Sequence, residues 1–475
     1  MTGKPNTSVA SLGSGKTERL SSASINRLLL EYSLPAIIGM TASSLYNIID
    51  RAFIGNGVGA MAISGLAITL PIMNLIAAFG AMIGAGASAM VSIRLGQQRK
   101  ADATNILGNA FILNFILGGM ITVVGLIFIE PILFAFGASE TTMPYAKNFI
   151  QIILVSNLFN NNFIGLNNIM RASGYPKKAM WSSLLTVGIN LCLAPLFIFV
   201  FHWGIRGAAF ATSIAQICGF IWVMNHFLNK NTFLHFQRGY FRLKKRIIED
   251  ILSIGLSPFL INICACLVTI VINKSLSNYG GAEGDIAIGA YGIVNSFVML
   301  FVMVVLGLTM GMQPIAGYNY GAKKNERVLK VYKQSVIVGL IITTTGFLMA
   351  MFLPGPIVSL FTGDEDMRRL SVIAMRIIFC CFPFVGFQMV TTNFFQSIGK
   401  AKWSIFLSLS RQLIFLLPGL IILPRLFGLN GVWISLPTGD FLATLTTLLV
   451  ILTQRKRLLP TNPAETNVQR STSHV

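Results

Sequence analysis

Acidic side chains are rare here: 16 aspartates and glutamates stand among 475 residues, against 36 lysines and arginines. Charged residues therefore make up 11% of the chain, where an ordinary soluble domain carries about 25%. So few ionised groups cannot coat a soluble body of this size. That excludes a soluble enzyme and a nucleic-acid binder, despite a net charge of +20. Histidine is scarcer still. His202, His226, His235 and His474 form no HExxH or paired arrangement, so a metal-dependent enzyme lacks ligands. The six cysteines (Cys192, Cys218, Cys264, Cys266, Cys380, Cys381) lie inside apolar runs, with neither metal spacing nor loop positions suited to disulfides, and read as small core residues. The first 25 residues are polar and lack the apolar stretch of a cleaved secretory signal.

Apolar surface is what the chain does contain: 54% of residues are hydrophobic and the mean hydropathy is +0.71. Twelve apolar segments are long enough to cross a bilayer, which takes about 20 residues each. Their approximate limits are 28–54, 62–94, 106–136, 146–170, 180–203, 208–228, 251–277, 286–316, 335–361, 371–398, 404–426 and 429–452. Lipid offers the backbone no hydrogen-bond partners, so such spans must be helical. They are continuous apolar runs rather than short alternating ones, which excludes a porin-type barrel. Basic residues crowd one set of connections: the N-terminal tail, Arg94 to Lys100, Arg171 to Lys178, Lys230 to Arg246, Lys323 to Lys333, Lys400 and Lys402, and the C-terminal tail. The other set holds only Arg51, Lys147, Arg206, Lys274, Arg368, Arg369 and Arg425. The positive-inside bias predicts that both termini are cytoplasmic, and the excess charge meets anionic lipid.

The two halves repeat at a nearly fixed offset. Pro35 matches Pro258 and Asp50 matches Asn273 at 223; Gly96 matches Gly321, Asn168 matches Asn393 and Gly174 matches Gly399 at 225; Gly204 and Gly207 match Gly428 and Gly431 at 224. Six spans per copy is an even number, so both copies insert the same way round. The predicted fold is an all-α integral membrane protein of twelve transmembrane helices, in two six-helix bundles related by a pseudo-two-fold axis along the membrane normal. The expected parts are a disordered tail (1–26), a first bundle (27–228), a linker (229–250), a second bundle (251–453) and a second tail (454–475). Duplicated bundles facing each other are a transporter architecture, with the pathway between them.

A carboxylate at mid-membrane costs about 2.5–3.5 kcal/mol on insertion scales, so each one needs a reason. Fourteen of the 16 acids fall in tails, loops or span ends. Asp50 and Asp440 remain. Ser43, Tyr46 and Asn47 precede Asp50 by seven, four and three residues, which puts all four side chains on one helical face. Oxygen atoms around a carboxylate suit a proton or a small hard cation; the competing reading is a structural ion pair, with Lys274 as the partner in reach. Asn190 and Thr212 in the fifth and sixth spans, and Asn160, Asn161 and Asn162 in the fourth, either complete an oxygen cage or merely hold helices together at about 0.6 kcal/mol each. Asp440 and its repeat partner Gln216 form a candidate second polar site, where Asp440 either titrates or stays protonated and hydrogen-bonded. The Walker-like run ASLGSGKT, Ala10 to Thr17, has no strand before it and is discounted. Some of the 35 Phe and 20 Met residues must line the pathway, where flat and adaptable faces suit varied hydrophobic cations.

The stretches YNIIDRAFIGNGVG, RASGYPKKAMWSS, NLCLAPLFIF, GIRGAAFAT and QPIAGYNYGAKK resemble the multidrug and toxic compound extrusion (MATE) family, most of all its bacterial drug-exporter branch, over about residues 27–452. The resemblance implies two bundles in a V, alternating access, and export of amphipathic cationic drugs by antiport with H⁺ or Na⁺, without enzyme activity or further cofactor. It also implies a monomer in the cell (inner) membrane, contributing to antibiotic resistance. By the same resemblance the ion site uses a first-span acid like Asp50, a tyrosine one turn before it like Tyr46, a fifth-span asparagine like Asn190 and a sixth-span threonine like Thr212. One departure matters. Sequences of this branch carry an aspartate four residues after that asparagine, where Ala194 stands here, and the seventh-span glutamate of another branch is replaced by the neighbourhood of Cys264 and Cys266. Fewer carboxylates weaken a Na⁺ cage, which favours proton coupling. A lipid-linked saccharide flippase of the same superfamily is the alternative; it calls for several basic residues in the cavity, and only Arg376 and Arg411 lie within spans.

Overall fold

The computed structural model describes residues 19–237 and 239–458, so the greater part of both expected tails lies outside the described residues. The described chain is almost entirely helical. In the first half, α1 (Ile25–Gly57), α2 (Ala60–Gly96) and α3 (Lys100–Ile127) are followed by the short α4 (Ile129–Ala135), then α5 (Met143–Ala172), α6 (Pro176–Pro195) and α7 (Gly204–Leu228). The second half runs α8 (Lys245–Tyr279), α9 (Gly284–Gly321), α10 (Asn325–Phe352), the short α11 (Pro354–Ser359), α12 (Glu365–Phe379), α13 (Phe382–Ser397), α14 (Ala401–Leu409) and α15 (Leu417–Leu458). Single π-helical stretches extend α6 (Leu196–Val200) and join α14 to α15 (Ser410–Leu416).

Two apolar runs take shapes that hydropathy alone does not resolve. The span expected at 371–398 is two helices, α12 and α13, meeting at 52°. Its true start lies further out, because Asp364 caps α12 by accepting the Met367 N–H at 2.8 Å and the first turn carries Glu365 and Asp366. The helical run Ala401–Gln454 is 54 residues long, roughly 80 Å at 1.5 Å per residue, and a core of about 30 Å accommodates it only by two crossings. It turns back at Gly428, whose backbone is left-handed (φ 57°, ψ −137°). A Cβ on Gly431 would strike the Leu423 carbonyl, and one on Gly439 would lie 3.2 Å from the Leu416 Cα, so the two limbs pack antiparallel. With each bent or folded run counted by its passages, the helices make twelve crossings in two bundles.

The repeat is visible in the backbone. Gly204 (φ 58°) matches Gly428, and the non-glycine pair Gln98 (φ 61°) and Lys323 (φ 57°) occupies the same left-handed turn in each copy. The bundles meet through α1, α2, α8 and α9, in the halves of these helices nearest the chain termini. Glycines make that approach possible: a Cβ on Gly255 or Gly86 would strike the backbone of Met82 or Ile251, and one on Gly96 or Gly321 would strike Tyr318 or Ile93. One apolar cluster at this end draws on both bundles, including Val91, Ile251, Met312 and Tyr318. Towards the other end there are two clusters, one within each bundle. The molecule is thus joined at the terminus side and parted towards the opposite side.

Candidate functional site

Asp50 lies on the part of α1 beyond the shared cluster. It is buried, at 8% exposure, and its Oδ1 has no hydrogen-bond partner among the described residues. The ion pairs of the described residues join Arg19 to Glu31, Lys147 to Glu130, Lys245 to Glu249, Arg369 to Glu283 and Arg411 to Asp440, and leave Asp50 out. Arg51, next in the chain, and Lys274 are both exposed.

One turn before Asp50, Tyr46 meets the two residues that the resemblance pairs with it. Asn190 of α6 donates from Nδ2 to the Tyr46 hydroxyl at 3.1 Å and to Thr212 Oγ1 of α7 at 3.0 Å. Tyr46 and Thr212 share a hydrogen bond of 3.2 Å, closing a triangle across three helices. The hydrogen inventory is informative. Asn190 uses both of its N–H groups, and one of the two hydroxyl protons makes the Tyr46–Thr212 bond, so one hydroxyl proton is left over. Against it stand two buried acceptors without partners, Asp50 Oδ1 and Asn190 Oδ1. The group therefore has one donor fewer than its buried acceptors call for.

Ala194, one turn beyond Asn190, is fully buried and packs in the same cluster as Ile54 and Ile198, so methyl groups fill the place of the second acid. The Asn47 side chain lies outside the described ones. Ser43 bonds back to the Gly39 carbonyl at 2.9 Å. Asn161 and Asn162 take other roles. Gly80 and Gly118 both face the Asn161 side chain, and Asn162 bonds back to the Leu158 carbonyl at 3.0 Å. No hydrogen bond among the described residues ties either one to the Asp50 group.

Asp440 and Gln216 lie in separate bundles with different partners. Gln216 accepts from Ser156 at 3.4 Å. Asp440 accepts from Arg411 Nε at 2.7 Å, the two side chains being 12% and 26% exposed. This partner escapes the sequence reading, which leaves both residues single. The signal that finds it is the antiparallel packing around Gly428. Leu416 lies beside Gly439, so Arg411 is little more than one turn from the level of Asp440, within reach of a long side chain.

Comparison with known proteins bears on the family and the fold. The MatE family model matches residues 35–196 and 258–421, one match in each half. The multidrug export protein MepA of Staphylococcus haemolyticus is 28% identical over 438 residues, covering 92% of this chain and 95% of that protein. MepA of Staphylococcus aureus MSSA476 is 27% identical over 433 residues, or 91% and 94% of the two chains. Among solved structures, an outward-facing multidrug resistance MATE family transporter of the MOP superfamily superposes with a TM-score of 0.87 at 24% identity, over 93% of this chain and 98% of that one. A MOP superfamily transporter from Pyrococcus furiosus, described as having a binding pocket of reverse polarity, gives a TM-score of 0.85 at 25% identity, over 93% and 97%.

Proposed function

The chain belongs to the MatE family, and from that premise we propose that it is a secondary active multidrug exporter, expelling amphipathic organic cations in exchange for H⁺ entering through Asp50. Tyr46, Asn190 and Thr212 hold the coupling site. The observation that carries the proposal is a buried carboxylate in none of the ion pairs among the described residues, beside a triangle that has one hydroxyl proton to spare. Ala194 favours H⁺ over Na⁺, because the site offers a metal ion one carboxylate where the family pattern offers two. The neutralisation of Arg411 by Asp440 weighs against a flippase for an anionic headgroup.

Coupling needs one two-state element. An empty Asp50 is a buried anion, and protonation removes that charge, so the two bundle arrangements differ in proton affinity and each proton bound shifts their balance. The bundles 27–228 and 251–453 are the moving bodies, tethered by 229–250. The protein acts as a monomer in the cell membrane with both termini in the cytoplasm.

Efflux of a fluorescent cation from proteoliposomes under an imposed pH gradient, with and without Na⁺, tests this. The wild type should follow the pH gradient, and Asp50→Asn should lose that dependence while keeping its fold. Continued tracking of the gradient by Asp50→Asn would remove Asp50 as the coupling site, and a requirement for Na⁺ would change the coupling ion.

A further inference from the structure

The described residues ahead of α1 open on helical backbone at 19–22, closed by the Ala23 N–H on the Arg19 carbonyl at 2.9 Å. Leu20 is fully buried, in the cluster that both bundles share. The last carbonyls of a helix have no partners within it, and here the opposite bundle provides them. Asn319 of α9 donates to the Leu20 carbonyl at 2.9 Å. Arg327 of α10 donates from Nη2 to the Leu20 and Ala23 carbonyls at 3.2 and 2.6 Å, and Lys324 donates to the Ser21 carbonyl at 3.1 Å. Asn319 Oδ1 accepts from Arg327 Nε at 3.1 Å, which orients the guanidinium. Two cations on the carbonyl end of a turn match its dipole. On its own side the turn is held by Arg19 on Glu31 at 3.0 Å. By chain it belongs to the first bundle; by bonding it belongs to the second.

The lead-in to α8 does the converse. Asn109 of α3 is fully buried, donates to the Arg242 carbonyl at 3.1 Å and accepts the Lys244 N–H at 2.8 Å. Beside it, the missing Cβ of Gly108 gives the Tyr240 carbonyl its room. Each bundle therefore grips the segment that leads into the first helix of the other.

We propose that these crossed lead-ins are a latch on the terminus side, with the Leu20 turn and its Asn319–Lys324–Arg327 socket as the part that must release before that end opens. The inference does not depend on the coupling ion or the substrate; it requires only that the bundles part at this end when the pathway changes side. Parting them breaks charge-assisted bonds to carbonyls and exposes Leu20, so the socket sets how often this end opens.

Hydrogen–deuterium exchange of the full-length protein in nanodiscs tests it without reference to transport. Arg327→Ala should speed exchange about tenfold in peptides covering residues 25–40 and 305–321, where the bundles touch, and leave peptides from residues 140–160 unchanged. Leu20→Ser keeps every donor and lies outside the bundles' own helices, and it should act in the same direction. No change, faster exchange limited to residues 19–24, or a rise throughout the protein would each overturn the latch.

Discussion

Two contrasts between single residues decide how the interior of this protein uses charge. Asp50 is in no ion pair among the described residues, whereas Asp440 is held by Arg411 at 2.7 Å. Removing one member of a buried pair strands the other, at about 3 kcal/mol, whereas replacing both is close to neutral. Asp440→Asn should therefore lower thermal stability clearly more than Asp440→Asn combined with Arg411→Gln, while pH-driven efflux survives in the double variant. A double variant as unstable as the single would show that the pair acts through something other than its charges. The second contrast is Ala194, which stands where the family pattern has an acid. Ala194→Asp adds an unpaired carboxylate to a fully buried position and should cost several kcal/mol in Na⁺-free buffer. With two carboxylates present the site should now take Na⁺. Saturation at about 100 times Kd would return roughly 2.7 kcal/mol, read as a melting temperature that rises with NaCl in the variant and not in the wild type.

Helices here are positioned by what they lack. An alanine usually stabilises a helix by about 1 kcal/mol over glycine, yet a Cβ at Gly255 would strike the Met82 carbonyl and force α2 and α8 apart. Gly255→Ala should thus destabilise by about 1–3 kcal/mol, the cost of overpacking. Gly419→Ala, whose nearest neighbour would be Ser435 Cβ at an ordinary 3.7 Å, should be neutral or better in the same melting assay. Equal effects at the two positions would mean that the close approach of the bundles does not limit stability. At this scale the number and order of spans were legible, because each crossing needs its own apolar run and lipid permits only helices. Their ends were not. The apolar run expected at 106–136 stops as α3 at Ile127 and resumes as α4, because hydropathy does not register a change of axis. The site was legible in part: helical spacing puts Asp50 and Tyr46 on one face, and span position made Asn190 and Thr212 either cage members or helix glue, but only the resemblance gave them a role in the ion site. Their contacts with Tyr46 span 144 and 166 residues of sequence, and no local pattern encodes such a distance. The Arg411–Asp440 pair was hidden for the same reason until the turn at Gly428 brought its limbs together.

For the whole molecule, sidedness is the property on which the others depend. A duplicated set of six crossings returns the chain to the side it left, so both ends and the linker share one face of the membrane. The basic residues of 323–333 and 400–402 lie on that face too, as does the Leu20 latch. On the proposed orientation, with the basic face in the cytoplasm, the cleft between the separate apolar clusters would open outward, and Asp50 would lie in the outward half of its bundle. In right-side-out vesicles, protease added outside should spare epitope tags at both termini, and in everted vesicles it should cut both. A cysteine introduced at Glu140, exposed between α4 and α5, should show the reverse pattern with a membrane-impermeant maleimide. Tags on opposite faces would require an odd number of crossings, against the fold at Gly428. Both tags outside would keep the fold but invert the machine: the cleft would then open to the cytoplasm, and Asp50 in this arrangement would exchange its proton with the cytoplasm rather than with the outer medium.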